Sequence, residues 1–176
     1  MKKIVLTMMA AMVAVVMDAQ IYVGGAVGFQ TVSHDGDSET TLMLQPEAGY
    51  NLNEDWAIGM AFGYAERGKD ESKVKTFVFN PYVRYNAVKL DKVTLFLDGG
   101  FDYTNTKYNN YKVNAWGLGV KPGISVALND NLSFVSHMGF IGFNSSKPDV
   151  DGAKATNTFG VDIDASSLSF GLFYNF

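Results

Sequence analysis

The chain has no cysteine, four prolines and two histidines among its 176 residues. Without cysteine there can be no disulfide scaffold, no thiolate-held metal and no N-terminal lipid anchor. Charge is also scarce, at 18% of residues against about 25% in soluble domains. A net charge of −4 excludes nucleic acid as a partner. No apolar run reaches the ~20 residues that a membrane-spanning helix needs. In their place stand 18 glycines and a 14% share of aromatics, in a length that suits one domain.

The N-terminus reads as a targeting segment. Lys2 and Lys3 precede a mostly apolar stretch from Ile4 to Met17, and Asp18-Ala19 stands before Gln20. This is the pattern of a secretory signal peptide over residues 1–19, leaving residues 20–176 as the mature domain.

Beyond Gln20 the pattern has a period of two. In Trp56-Ala57-Ile58-Gly59-Met60-Ala61-Phe62-Gly63-Tyr64, the even positions are bulky and the odd ones are Gly or Ala, which makes a strand with two unlike faces. Eight such segments are predicted, over 21–29, 42–50, 56–64, 77–86, 93–103, 114–128, 132–143 and 166–176. They repeat as hairpins: Pro46, Pro81 and Pro122 recur in even-numbered segments, and Tyr50-Asn51, Tyr85-Asn86 and Tyr174-Asn175 close three of them. Short turns at 51–55, 87–92 and 129–131 alternate with longer polar stretches at 30–41, 65–76, 104–113 and 144–158. Short turns at one end and long loops at the other characterise an outer-membrane barrel.

The contents of the two faces decide between a soluble and a membrane barrel. The bulky face, with Leu44, Trp56, Ile58, Met60, Phe62, Leu95, Leu97, Leu118, Phe170 and Leu172, carries no charge. The other face is rich in glycine and places Glu47, Arg84, Asp98 and Lys121 inside, two acids against two bases. Such a bulky face belongs against lipid, since on the outside of a soluble barrel the sparsely charged face invites aggregation. An open sheet edge is not tolerated in a bilayer, so the eight strands must close. The four interior charges are expected to form a salt-bridged plug, or alternatively a gate.

Aromatic residues cluster at the strand ends, where interfacial rings sit. Tyr50, Trp56, Tyr85 and Tyr174 lie toward the short turns, and Phe29, Tyr64, Phe77, Tyr103 and Phe140 toward the long loops. Two features strain the pattern. Proline is disfavoured inside strands, so the three equivalent prolines predict a shared bulge or bend. Val161 and Ile163 have the opposite parity to Leu168 and Phe170, which a bulge near 164–167 restores.

Catalysis finds little support in the pattern. Ser33-His34-Asp35 falls in a loop without a rigid frame, and His137 points inward while its neighbour Ser136 points out. Neither histidine makes a metal site, and no cofactor motif is present.

The whole mature chain resembles the eight-stranded outer-membrane β-barrel family that includes the OmpA barrel, OmpX and the opacity-type porin-family proteins. The last strand, with Phe170, Leu172, Tyr174 and Phe176 alternating to the terminus, resembles the signal that the barrel-assembly machinery recognises. The resemblance implies a monomeric, non-enzymatic protein of the Gram-negative outer membrane, in contact with the bilayer and lipopolysaccharide, with both termini periplasmic. It implies a structural or surface-contact role through four extracellular loops. A small low-conductance pore is the alternative, and a lipid A-modifying enzyme a more distant one. The peptidoglycan-binding domain of OmpA has no counterpart in this chain, so cell-wall tethering is not implied.

Overall fold

A computed structural model describes residues 20–34, 37–68, 73–108, 111–150, 152–162 and 168–176. The signal segment 1–19 lies outside the described residues. The described residues form ten strands: β1 (Ile21–His34), β2 (Asp37–Asn51), β3 (Trp56–Arg67), β4 (Val74–Leu90), β5 (Val93–Lys107), β6 (Lys112–Ala127), β7 (Leu132–Met138), β8 (Phe140–Pro148), β9 (Thr156–Asp162) and β10 (Leu168–Asn175). All pairings are antiparallel, and the sheet closes through β1 with β10, β10 with β7, and β7 and β8 with β6. β7 and β8 are two halves of one barrel strand, and so are β9 and β10. The fold is a closed eight-stranded barrel.

Two of the short turns are built by asparagine. Asn53 Oδ1 accepts hydrogen bonds from the Asp55 and Trp56 amides, both at 2.9 Å. Asn129 does the same for Asn131 and Leu132, at 3.0 and 2.8 Å. Each side chain stands in for a backbone turn and fixes where the next strand starts. The turn between β4 and β5 is only Asp91-Lys92, because β4 runs on to Leu90 past a register shift between Asn86 and Val88.

At the opposite end the strands outlast the apolar pattern. Pairing continues to Lys75 with Lys107 and Lys107 with Lys112, so much of the polar sequence expected to be loop is strand. Ladder formation needs only the backbone groups, and polar side chains do not end it once the strands leave an apolar environment.

The prolines follow one rule, which is not a shared bulge. Pairing is interrupted between Leu44 and Glu47 toward β3, between Phe79 and Tyr82 toward β5, and between Val120 and Gly123 toward β7 and β8. Each proline sits in such a gap and keeps its pairing on the other side, as in Gly25 with Pro46, Met60 with Pro81 and Leu97 with Pro122. The missing N–H breaks the ladder in one direction only. Beside Pro81 the side-chain amide of Asn80 donates to the Phe101 carbonyl at 3.1 Å, supplying the bond the proline cannot make.

Only the gap at Pro122 carries a register shift. β6 pairs Gly123 with His137 but Val120 with Ile141, so one extra residue is accommodated at Gly139, whose φ is +81°. This glycine-centred bulge reverses the parity of the residues beyond it. Phe140 therefore turns inward, with its ring against Gly119 and Gly142, and is not a loop-side interfacial aromatic. The slip in the last barrel strand is also present: Phe159 and Val161 face outward in β9, and Phe170 and Leu172 in β10. The bulge expected at 164–167 falls outside the described residues.

Candidate lumen plug and outer girdle

The inner face is not lined by small residues alone. Tyr22, Tyr82, Phe96 and Phe173 point inward and are buried. The glycines opposite make room for their rings. A Cβ at Gly49 would lie 2.2 Å from the Tyr22 ring, one at Gly123 would lie 2.3 Å from Phe96, and one at Gly24 would lie 2.6 Å from Phe173. Rings laid across glycines cover exposed backbone and pin the strand register.

Arg84 lies among these rings and reaches into the lumen. Its guanidinium grips Asp98 through Nε to Oδ1 and Nη2 to Oδ2, both at 2.7 Å, the bidentate geometry that favours arginine over lysine. Nη2 also lies 3.5 Å from Glu47 Oε1. Its Cζ stands 4.0 Å from the Phe96 ring centroid and 5.3 Å from that of Tyr82, within cation–π range. The Tyr82 hydroxyl donates to Glu47, so the 2.6 Å contact between the tyrosine hydroxyls has Tyr22 as donor to Tyr82. Glu47, Arg84 and Asp98 are all buried, and no buried side-chain polar atom among the described residues lacks a partner. Burial of charge is tolerable only under such complete pairing.

The structure separates Lys121 from this group. Asp98 is its register partner, but the ammonium reaches Asp102 at 2.6 Å, because Arg84 already occupies both Asp98 oxygens. Asp102 is an interior acid absent from the expected set, although it has the same parity as Asp98. Among the described residues this inner group therefore holds three acids, Glu47, Asp98 and Asp102, against two bases, with His137 nearby, and not a balanced four.

His137 completes a second chain. Nε2 lies 2.8 Å from Asp98 Oδ2, and Nδ1 lies 3.5 Å from the Ser169 hydroxyl. A carboxylate only accepts, so Nε2 carries the proton. The order Ser169-His137-Asp98 matches that of a nucleophile, base and orienting acid. The serine contact is long, however, and the adjoining cavity of about 20 Å³ has room for a water-sized molecule and not for a substrate. Ser169 is not a neighbour of His137 in sequence, and register alone brings the two together. His34 ends β1, opposite Asp37.

The second cavity, about 130 Å³, opens toward the short turns and is lined by Asn51, Asn86, Thr94, Ser125, Ser133 and Asn175 around the underside of Arg84. The layer of Arg84, Tyr22 and Phe173 lies between the two spaces.

The outer face carries the rings and aliphatics. Trp56 and Tyr85 are register partners with centroids 4.8 Å apart, and Tyr174 packs at 4.7 Å on Phe176. Trp56, Tyr85 and Tyr174 are exposed, and Tyr50, partly exposed, lies across from Ile58. In the last strand Phe170 and Leu172 are each 53% exposed, alternating with the inward Gly171 and Phe173. The Phe176 amide bonds the Ile21 carbonyl at 3.0 Å, joining the end of the chain to β1. So many large apolar side chains pointing outward from a closed barrel identify a protein whose solvent is lipid.

The fold and its outer surface thus define a transmembrane barrel. Residues 4–176 match the family described as outer membrane protein beta-barrel domain, and the chain belongs to that family of the bacterial outer membrane. Comparison with curated proteins gives no match. Among solved structures the chain is similar to Neisserial surface protein A, with a TM-score of 0.54, 19% identity, and coverage of 89% of this chain and 97% of that one. It is also similar to OprG from Pseudomonas aeruginosa, with a TM-score of 0.52, 15% identity, and coverage of 89% and 96%.

Proposed function

We propose that the protein is a plugged, non-enzymatic envelope barrel, a structural and surface-contact element rather than a pore. The observation that carries this reading is the Arg84 layer, in which one guanidinium ties β2, β4 and β5 together inside the barrel, Asp98 continues the chain to His137 on β7, and four inward rings pack around it. The small space beside His137 supports the non-enzymatic part, since no substrate fits against Ser169. Short turns and both chain ends face the periplasm in this reading, and the long strand extensions face outward. Bilayer lipid, lipopolysaccharide and, during biogenesis, the barrel-assembly machinery are its partners, and the protein works as a monomer. The exposed outward Phe170, Leu172, Tyr174 and terminal Phe176 support that biogenesis route.

Planar-bilayer recording tests the plug. Folded protein, checked by its heat-shifted gel mobility, is expected to be electrically silent, while Arg84→Ala is expected to give discrete conductance steps. Steps from the unaltered protein would establish the pore alternative and refute the plug.

A further inference from the structure

The outer surface has one feature that a plugged barrel does not require. Lys75, Lys107 and Lys112 are consecutive register partners across β4, β5 and β6. All three are exposed and share the outward parity of Phe77, Tyr103 and Trp116. Directly opposed like charges are destabilising, and neighbouring strands are only about 4.8 Å apart. Lys147, one row nearer the girdle as the partner of Asn114, is also exposed. Two acids flank the row. Glu66, the register partner of Lys75, is held by Lys73 at 3.2 Å and by the Tyr64 hydroxyl at 2.9 Å. At the other end, the amide of Asp149 bonds the Lys112 carbonyl at 2.7 Å. Among the described residues Lys107 and Lys112 have no ion-pair partner.

The position of the row identifies what it meets. Immediately toward the membrane lie Phe77, Asn105, Asn114 and Lys147, then Phe79, Tyr103 and Trp116, then Phe101, Leu118 and Phe143. Phe77, Tyr103, Trp116 and Leu118 are exposed. A lipid whose acyl chains lie on Leu118 and Phe101 and whose glycerol or sugar lies at the aromatic belt presents its headgroup to these lysines. Ammonium groups lying at headgroup depth attract anionic lipid, and a phosphate between neighbouring strands relieves the repulsion of the row.

We infer that Lys75, Lys107 and Lys112, with Lys147 beneath them, form a binding site on the barrel's outer wall for the phosphate-bearing headgroup of a membrane lipid. The site builds on the membrane-spanning fold and the proposed orientation, which would place it in the outer leaflet.

The two tryptophans allow a direct test. Trp116 lies below the lysine row and Trp56 at the short-turn end, and they are the only two in the sequence. Each is retained singly by replacing the other with Phe, and the full chain is reconstituted in symmetric phosphatidylcholine vesicles, which removes any dependence on orientation and on the conductance result. Quenching by phosphatidic acid with brominated chains is then compared with quenching by brominated phosphatidylcholine. At Trp116 the phosphatidic acid is expected to bind roughly fivefold or more tightly than phosphatidylcholine, a preference that falls toward unity in high salt. It is expected to vanish in Lys75→Gln/Lys107→Gln/Lys112→Gln, with the heat-shifted mobility showing that the variant folds. If the triple variant does not fold, Lys107→Gln and the salt titration serve in its place. No preference at Trp116, an equal preference at Trp56, or a preference that survives the lysine substitutions would each overturn the inference.

Discussion

Glycine at position 59 is a sharp test of how the barrel interior is packed. A methyl group there would lie 2.4 Å from Tyr82 Oη, 2.5 Å from its Cζ and 2.8 Å from Tyr22 Oη, where ordinary contact begins at 3.4 Å. The rings must therefore withdraw by about 1 Å. The Tyr82 hydroxyl cannot withdraw freely, because it bonds Glu47 on one side and Tyr22 on the other. Overpacking a well-filled site costs about 1–3 kcal/mol, and weakening a hydrogen bond to a charged group adds up to about 1.5–3 kcal/mol. Gly59→Ala is expected to destabilise the barrel by about 2–4 kcal/mol on these terms. Gly160→Ala is the control, since a methyl group there meets nothing within 4 Å. Urea unfolding in lipid vesicles, followed by tryptophan fluorescence, measures both. In a Tyr82→Leu background, which removes the nearer ring and leaves only the Tyr22 hydroxyl at 2.8 Å, no longer held by Tyr82, the Gly59→Ala penalty is expected to fall. If Gly59→Ala costs no more than Gly160→Ala, or keeps its full cost without the ring, then the rings do not pack on the glycines as described.

Two single contacts give further measurements. Asn80→Leu leaves the Phe101 carbonyl beside Pro81 without its donor, and is expected to cost about 1–3 kcal/mol, the penalty of an unsatisfied buried group, in the same unfolding assay; a cost within error of zero would mean that the carbonyl finds another partner. At the loop-side rim, hydrogen bonds from Tyr64 and then Lys73 hold the Glu66 carboxyl below its ordinary range. A carboxyl with a lowered folded value contributes stability above the ordinary carboxylate range and loses it as pH falls through the folded value. An NMR titration of Glu66 is expected to show its midpoint rising in Tyr64→Phe, and an unmoved midpoint would remove the tyrosine as the cause.

Much of this protein is written in the alternation of its residues. A period of two says which side chains share a face, and a bulky uncharged face opposite a glycine-rich one containing Glu47, Arg84 and Asp98 leaves lipid as the only solvent that suits the outside. Strand number, the turns at Asn53 and Asn129, the inward parity of Glu47, Arg84 and Asp98, and the parity slip before Leu168 were legible for that reason, because each is a property of neighbours along the chain, whereas the turn expected at 87–92 shrank to Asp91-Lys92. Asp102 was legible by the same rule, as were the inward parities of Tyr22 and Tyr82.

What alternation cannot supply is register. Whether Lys121 meets Asp98 or Asp102, whether Ser169 faces His137, and whether three lysines fall in one row all depend on how far each strand is staggered against the next. That stagger was decided by tertiary events: Gly139 took a positive φ and admitted an extra residue, each proline broke the ladder toward one neighbour, and Arg84 claimed both oxygens of Asp98. The sequence alone determined a closed barrel with lipid outside and charge inside. Only closure of the sheet, which forces every strand into a single stagger, decided which charges meet in the lumen and which lysines line up on the wall.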